Sequence, residues 1–376
     1  MIIKSIKYSQ FDGTPHEWRL ENFSLGLVNL VVGENASGKS KILAIIRNLG
    51  NLLTGANPTF LSANYEVEFD DNGVKLVYVL RCDGGVVKEE RLNIGRKTML
   101  TRIDDGTGKI YYERLKRKLG FQAPTGQVVT AARRDSIQHP FLDLLYSWGE
   151  SVRLYHFGTE MGRNSFGFPE GPILPKFSSD MPETAVATFM DGQKRFSAQF
   201  VNSIIRDMKE IGYELTDIFT EAPFGLSGLP KAVLALHAKE TDLDASTSQN
   251  EMSQGMFRAL SLIIRITYAQ MAESPACILV DDIGEGLDYN RSTALVKLLI
   301  EKTKGTTTQL IMSSNDRFVM NNVPLQYWSV VQRVGNLSRV LNYDNSKNLF
   351  TQFELTGLNN FDFFSSKYYL NSGESN

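Results

Sequence analysis

Residues 33–40 read Gly33-Glu34-Asn35-Ala36-Ser37-Gly38-Lys39-Ser40, which fits the spacing G-x-x-x-x-G-K-[ST]. Glycines in such a loop let backbone N–H groups close around phosphates. The lysine then reaches the β- and γ-phosphates, and the following hydroxyl ligates Mg²⁺. The chemistry expected is binding of a nucleoside triphosphate, with ATP and Mg²⁺ as cofactors and Lys41 closing the phosphate-binding stretch. Far downstream, Cys277-Ile-Leu-Val280 is a short apolar run that ends in Asp281 and Asp282. An acid at the tip of a buried strand can hold Mg²⁺ through water. A third polar tip follows Gln309-Leu-Ile-Met312, where Ser313, Ser314 and Asn315 precede Asp316.

These residues need strands and helices to position them. Leu30 to Val32 is an apolar run of buried-strand type, and Lys39 to Leu49 repeats apolar residues at helical spacing, so the glycine-rich loop sits between strand and helix. Gly50 to Pro58 reads as a break. Tyr65 to Phe69, Val74 to Leu80 and Val86 to Ile94 alternate and are separated by Asn72-Gly73 and Gly84-Gly85, the pattern of an antiparallel meander. The basic segment from Arg114 to Lys118 reads as helix, as do Phe141 to Trp148, residues 183–221, Gly255 to Ala272 and Arg291 to Lys304. Val152 to Phe157, Lys231 to His237, Cys277 to Val280 and Gln309 to Ser313 read as strands. Residues 158–180 are rich in Gly, Pro and Ser and read as a loop.

The 376 residues carry 40 Lys plus Arg and 42 Asp plus Glu, a net charge of −2. That balance excludes a strongly basic coat protein for nucleic acid but permits a local basic groove. Two cysteines, Cys82 and Cys277, make neither a disulfide framework nor a four-cysteine zinc site. The four histidines, His16, His139, His156 and His237, show no metal-ligand spacing. No apolar stretch is long enough to span a membrane and no signal-peptide core opens the sequence, so a cytoplasmic protein is expected.

Two further segments place the chain among known families. Met252-Ser253-Gln254-Gly255-Met256-Phe257-Arg258 resembles the ABC-ATPase signature L-S-G-G-Q-x-R in its serine, second glycine and arginine. Asp281-Asp-Ile-Gly-Glu285-Gly-Leu-Asp288 resembles the joined Walker B and D-loop pattern D-E-P-T-S-A-L-D at its first, seventh and eighth places. With residues 33–40 as Walker A, the order resembles an ABC-type ATPase of the SMC/RecF/Rad50-like branch. More narrowly, it resembles the small stand-alone ATPases related to the OLD family, many of which serve anti-phage defence. The fold implied is an α/β P-loop NTPase with a mixed central sheet, an antiparallel β subdomain, a helical insertion or lid, and no long coiled coil. The implied division is an N-terminal lobe 1–157, an insertion 158–250 and a C-terminal lobe 251–376.

The resemblance implies a head-to-head homodimer, with room for higher homo-oligomers. Ser253, Gln254 and Gly255 of one subunit would cap the nucleotide on the P-loop of the other, and Asp288 would cross the interface. Ser40, Asp281 and a Q-loop glutamine would hold Mg²⁺; Gln138 is the candidate, with Gln127 competing. The family's catalytic glutamate is replaced by Asp282, one methylene shorter, and Glu285 is the alternative base. Its switch histidine is replaced by Asn315, which hydrogen-bonds but carries no charge. Both departures imply slow turnover, which suits a switch acting on a separate effector such as a nuclease or toxin. The competing expectation is a RecF-like repair ATPase that binds DNA when ATP closes the dimer. Tyr8 and Phe11 are candidates to stack on adenine, against a default role in core or strand.

Overall fold

The computed structural model describes residues 1–57, 60–167, 185–224, 233–272 and 277–373. The chain begins with β1 (Ile2–Gln10), β2 (Trp18–Ser24), β3 (Val28–Gly33) and α1 (Lys39–Thr54). A meander follows: β4 (Ser62–Asp71), β5 (Val74–Asp83), β6 (Val86–Ile94), β7 (Lys97–Ile103), β8 (Thr107–Tyr112) and β9 (Arg117–Gln122). Next come α2 (Val129–Ala132), α3 (Phe141–Ser151), β10 (Val152–His156), α4 (Ala185–Glu210), β11 (Leu215–Glu221), β12 (Ala235–Glu240) and β13 (Thr247–Ser248). The remainder alternates: α5 (Gln254–Met271), β14 (Cys277–Asp281), α6 (Tyr289–Thr303), β15 (Gln309–Ser313), α7 (Arg317–Asn322), β16 (Trp328–Val334), β17 (Leu337–Asn342), α8 (Tyr343–Glu354) and α9 (Asn360–Ser365).

Among the described residues, fourteen strands form one sheet in the order β10-β14-β15-β3-β16-β17-β2-β1-β4-β5-β6-β7-β8-β9. The first five run parallel, so their C-terminal tips all point to the same edge. From β1 through β9 every pairing is antiparallel. The period-two alternation of β3 divides the interior. Val28, Leu30 and Val32 face one core with the residues of α4, α5 and α6, while Val31 faces the other with those of α1 and α3. A second, three-stranded sheet joins β11, β12 and β13. Among the described residues the longest helix is α4, which breaks at Ser197 (φ 54°, ψ −143°), so no long coiled coil forms.

Three expectations from the sequence change. Gly50 does not end α1. It is buried where α1 packs on α3: a Cβ there would lie 3.1 Å from the Gly149 carbonyl, so its smallness serves close packing. The helix stops at Gly55, whose φ of 75° lets it cap the last carbonyls. The basic segment 114–118 is turn and strand, not helix, because Lys116 takes φ 50° in the hairpin between β8 and β9. That leaves Arg117 and Lys118 exposed on β9, the outermost strand. The helix expected over 183–221 ends at Glu210, and Leu215–Glu221 is a strand. Most of the loop expected over 158–180, and Lys231 at the start of an expected strand, lie outside the described residues.

The C-terminal aromatic segment docks on its own chain. Phe363 is fully buried, with ring centroids 4.7 Å from Phe350 and 5.1 Å from Phe353. Just beyond it, Lys367 pairs with Glu34 of the glycine-rich loop at 3.0 Å.

The glycine contact between α1 and α3 is testable. In Gly149→Ala the new Cβ would sit 2.8 Å from the Gly50 carbonyl oxygen, a backbone atom that cannot swing aside. Alanine gains about 1 kcal/mol in helix propensity, and forced separation costs about 1–3 kcal/mol. We expect a net loss of stability, read as a lower urea midpoint. A rise would show that the contact is loose.

Candidate functional site

The parallel strands bring the chemistry to one edge of the sheet. Gly33 ends β3, Asp281 ends β14, Ser313 ends β15 and His156 ends β10. The loop from Gly33 to α1 is tightly wound. Ala36 has φ 62° and Gly38 φ 107°. A Cβ on Gly33 would lie 2.6 Å from the Ser37 hydroxyl and 2.8 Å from the Val331 carbonyl, so only glycine lets the loop curl over β16. Lys39 is buried; its Nζ donates to the Gly33 carbonyl at 2.9 Å and the Glu34 carbonyl at 3.3 Å. Burial lowers the Lys39 pKa, and the charges of Asp282 and Asp281 oppose that shift.

Asp281 is the hub. Burial pushes its pKa up, but hydrogen bonds from His156, Ser313 and Ser40 outweigh burial and hold the carboxyl below the usual range. Ser313 Oγ donates to Asp281 Oδ1, and His156 Nδ1 lies 3.4 Å from Oδ2. Asp282, the next residue, is held with φ 55°, a conformation costly for a non-glycine. Its backbone N–H donates to Ser313 Oγ at 3.0 Å. Burial and the neighbouring Asp281 charge push the Asp282 carboxyl above its ordinary value, against the pull of Lys39.

A cavity of about 350 Å³ is lined by Asn35, Ala36, Gly38, Lys39, Ser40 and Lys41 from the loop and α1. Asp282, Asn315 and Arg333 complete it. Asn315 Nδ2 donates to Asn35 Oδ1 at 2.9 Å, joining the tip after β15 to the loop. A larger cavity, about 580 Å³, lies at the opposite end of β3 and holds none of the residues singled out in the sequence.

The remaining candidates lie outside the cavity lining. Glu285 flanks Gly158 together with Asp282. Ser253 caps α5, accepting from Met256 N–H at 3.2 Å, and Gln254 Nε2 donates to Glu160 at 2.8 Å. Both Ser253 and Gln254 are exposed. Gly255 is buried against the D-loop, where a Cβ would meet the Gly286 carbonyl at 2.8 Å. Asp288 caps α6 through Arg291 N–H at 3.0 Å and pairs with the Arg291 guanidinium at 2.7 Å. Arg258 donates to the carbonyls of Gly158, Thr159 and Glu285, tying the loop after β10 to the D-loop.

Gln138 is not in the cavity lining; its backbone N–H bonds Asp135 and its carbonyl accepts from Glu113. Gln127 is not in the lining either, its carbonyl accepting from buried Arg102. His156 stands beside Asp281 instead. The sequence placed His156 in a strand, but only the pairing of β10 with β14, with His156 opposite Asp281, brings it to the site. Arg333 was also missed. Tyr8 is buried against Tyr65, ring centroids 4.8 Å apart, and so takes the core role; Phe11 is exposed in the turn after β1.

A Mg²⁺ ion fits the donor set. Ser40 and Asp281 supply hard oxygen ligands side by side, and phosphates and water complete such a shell. Among the described residues no group of three His, Cys, Asp or Glu forms an all-protein metal cage.

No family model and no curated protein match the sequence. Solved structures do match in fold. An SMC head bound to the C-winged helix domain of ScpA has 15% identity over 91% of this chain and 97% of its own, with a TM-score of 0.53. An SMC head domain from Thermotoga maritima shows 16% identity over 91% and 99%, TM-score 0.45. An Smc head domain with an extended coiled coil, bound to the C-terminal domain of ScpA derived from Pyrococcus furiosus, shows 12% over 94% and 100%, TM-score 0.48. The first of these likenesses gives the chain the α/β fold of an SMC head.

The electrostatics of Asp282 give a pH test. Its folded pKa is raised, so the native state binds the proton more tightly than the unfolded chain does. Its contribution to stability therefore declines as pH rises from the ordinary aspartate range through the raised value. Asp282→Asn should remove that decline and melt higher than wild type at pH 7, with the difference shrinking toward pH 4. A lower melting temperature at pH 7 would refute the assignment of strain and repulsion to this carboxylate.

Proposed function

We propose that the chain binds ATP with Mg²⁺ at the loop 33–40, hydrolyses it slowly, and works as a nucleotide-gated switch. Two copies meet head to head, and the closed dimer controls a separate effector, a nuclease or toxin, in cytoplasmic anti-phage defence. The observation that carries the nucleotide reading is the cavity that gathers Lys39, Ser40, Asp282 and Asn315 where the loop, the tip of β14 and the tip after β15 meet. The defence setting rests on the sequence resemblance alone.

Each residue then has a role. Loop N–H groups and the N-terminus of α1 receive the phosphates, and Lys39 leaves its carbonyl partners for them. Ser40 and Asp281 hold Mg²⁺, which supplies charge neutralisation on the phosphates when bound. Asp282, with its raised pKa, is the general base for the attacking water, since a base works best when its pKa approaches the operating pH. Asn315 orients phosphate or water without adding charge, which fits slow turnover.

The dimer reading has its own support. Ser253 and Gln254 are exposed and lie outside their own subunit's cavity lining, so they are available to a partner's nucleotide. Asp288 and Tyr289 are exposed as well. Residues 1–157 and 251–376 act as the two lobes of the ATPase, with 158–250 an insertion between them. Further copies stack on this dimer to give larger homo-oligomers.

Light scattering with and without Mg²⁺-ATP tests this reading. Wild type should pass from monomer to dimer with ATP, and Lys39→Ala should stay monomeric. Ser253→Arg should bind nucleotide as a monomer and fail to close. An oligomer that ignores ATP overturns the switch. Asp282→Asn should cut turnover at least a hundredfold and trap the ATP-bound dimer. If only Glu285→Gln traps it, Glu285 is the base.

A further inference from the structure

The two flanks of β3 differ in character. On one side β15 and β14 bring Asn315, Asp281 and Asp282, all acid or amide groups suited to the terminal phosphate and its water. On the other side β16 brings Arg333, β2 brings Trp18 and the first turn of α1 brings Lys41. Arg333 lies near the end of β16, where Nη1 donates to the Ala36 carbonyl at 3.2 Å and Nε to the Gly335 carbonyl at 2.9 Å. Lys41, in the first turn of α1, sits over the Trp18 ring with Nζ 4.1 Å from its centroid. Trp18 is itself buried beneath Gly38. Lys41 and Arg333 both line the cavity.

The charges there are not balanced. Among the described residues neither Lys41 nor Arg333 has a carboxylate within ion-pair distance. Burial lowers the Lys41 pKa, and the nearby Arg333 charge lowers it further. Two like charges held together at the mouth of a phosphate cavity, beside a helix N-terminus, are relieved by an anion. Lys39 and Ser40 already serve the β- and γ-phosphates, whose terminal end faces Asp282 and Asn315. The other end of the polyphosphate must therefore extend across β3 toward β16.

We propose that Arg333, flanked by Lys41, forms a second anion subsite that takes the α-phosphate of the bound nucleotide. This rests on nucleotide binding at the loop 33–40. The guanidinium exchanges its Ala36 carbonyl for the phosphate oxygens, a stronger acceptor. A grip on the α-phosphate does not distinguish ATP from ADP. It holds the product as firmly as the substrate, while discrimination is left to Asn315 and Asp282 on the opposite flank. The inference gives the β16–β17 hairpin, which carries no recognised motif, a direct part in nucleotide retention.

The test is equilibrium binding of fluorescent ADP and ATPγS, each with Mg²⁺, to the full chain. Wild type is compared with Arg333→Gln, Arg333→Lys and Asn315→Ala. Arg333 is exposed on a hairpin, and unchanged melting temperatures will confirm that the variants fold. Arg333→Gln should weaken ADP and ATPγS by the same factor, about ten- to a hundredfold, the loss of one charge-assisted hydrogen bond. Arg333→Lys should restore part of it, and Asn315→Ala should weaken ATPγS more than ADP. Unchanged affinities in Arg333→Gln overturn the subsite, and a loss confined to ATPγS moves Arg333 to the γ-phosphate and overturns it equally. Failure of the wild type to bind either nucleotide would instead refute the nucleotide reading itself, before any variant is compared.

Discussion

A buried carboxylate must be satisfied, and the site is arranged around satisfying Asp281. Leaving an acid unpaired in an apolar sheet costs several kcal/mol. Here the hydroxyls of Ser40 and Ser313 and the imidazole of His156 converge on it from three separate elements. That convergence requires β10, β14, β15 and β3 to run parallel and to end in step. The same register sets the distance between the loop 33–40 and the acids. The strain at Asp282 follows: its backbone is turned back toward Ser313 so that its side chain can enter the cavity.

The signature segment is tied into this arrangement through backbone carbonyls rather than through the cavity. Arg258, a buried residue of α5, holds the loop after His156 and the D-loop in one guanidinium fork. A displacement of α5 therefore pulls on both neighbours of Asp281 at once. Packed, hydrogen-bonded units of this kind move as bodies rather than deforming continuously. A partner pressing on Ser253 would have a short mechanical route to the acids. That route depends on Gly255, since any side chain there would push α5 away from Gly286.

What could be read from the sequence was what is local. The loop 33–40 announces itself because strand, glycines, lysine, hydroxyl and helix are contiguous, with β3 ending at Gly33 and α1 starting at Lys39. The β4–β6 meander was legible from Asn72-Gly73 and Gly84-Gly85, whose glycines all adopt positive φ. His156 and Arg333 were not legible, because their positions arise from pairings between strands distant in sequence. Gln138 and Gln127 could not be separated in the sequence, because a glutamine in a polar loop looks the same whatever it faces. Gly50 misled because a glycine in a helix signals either termination or close packing, and only the presence of α3 decides.

Among the described residues the large sheet ends at β9, with no further strand paired to it. The residues that begin this margin are Arg117 and Lys118. Charged side chains on such a margin deter a second molecule from adding its own strand. The basic run that invites a search for nucleic acid thus has a sufficient purpose in solution behaviour.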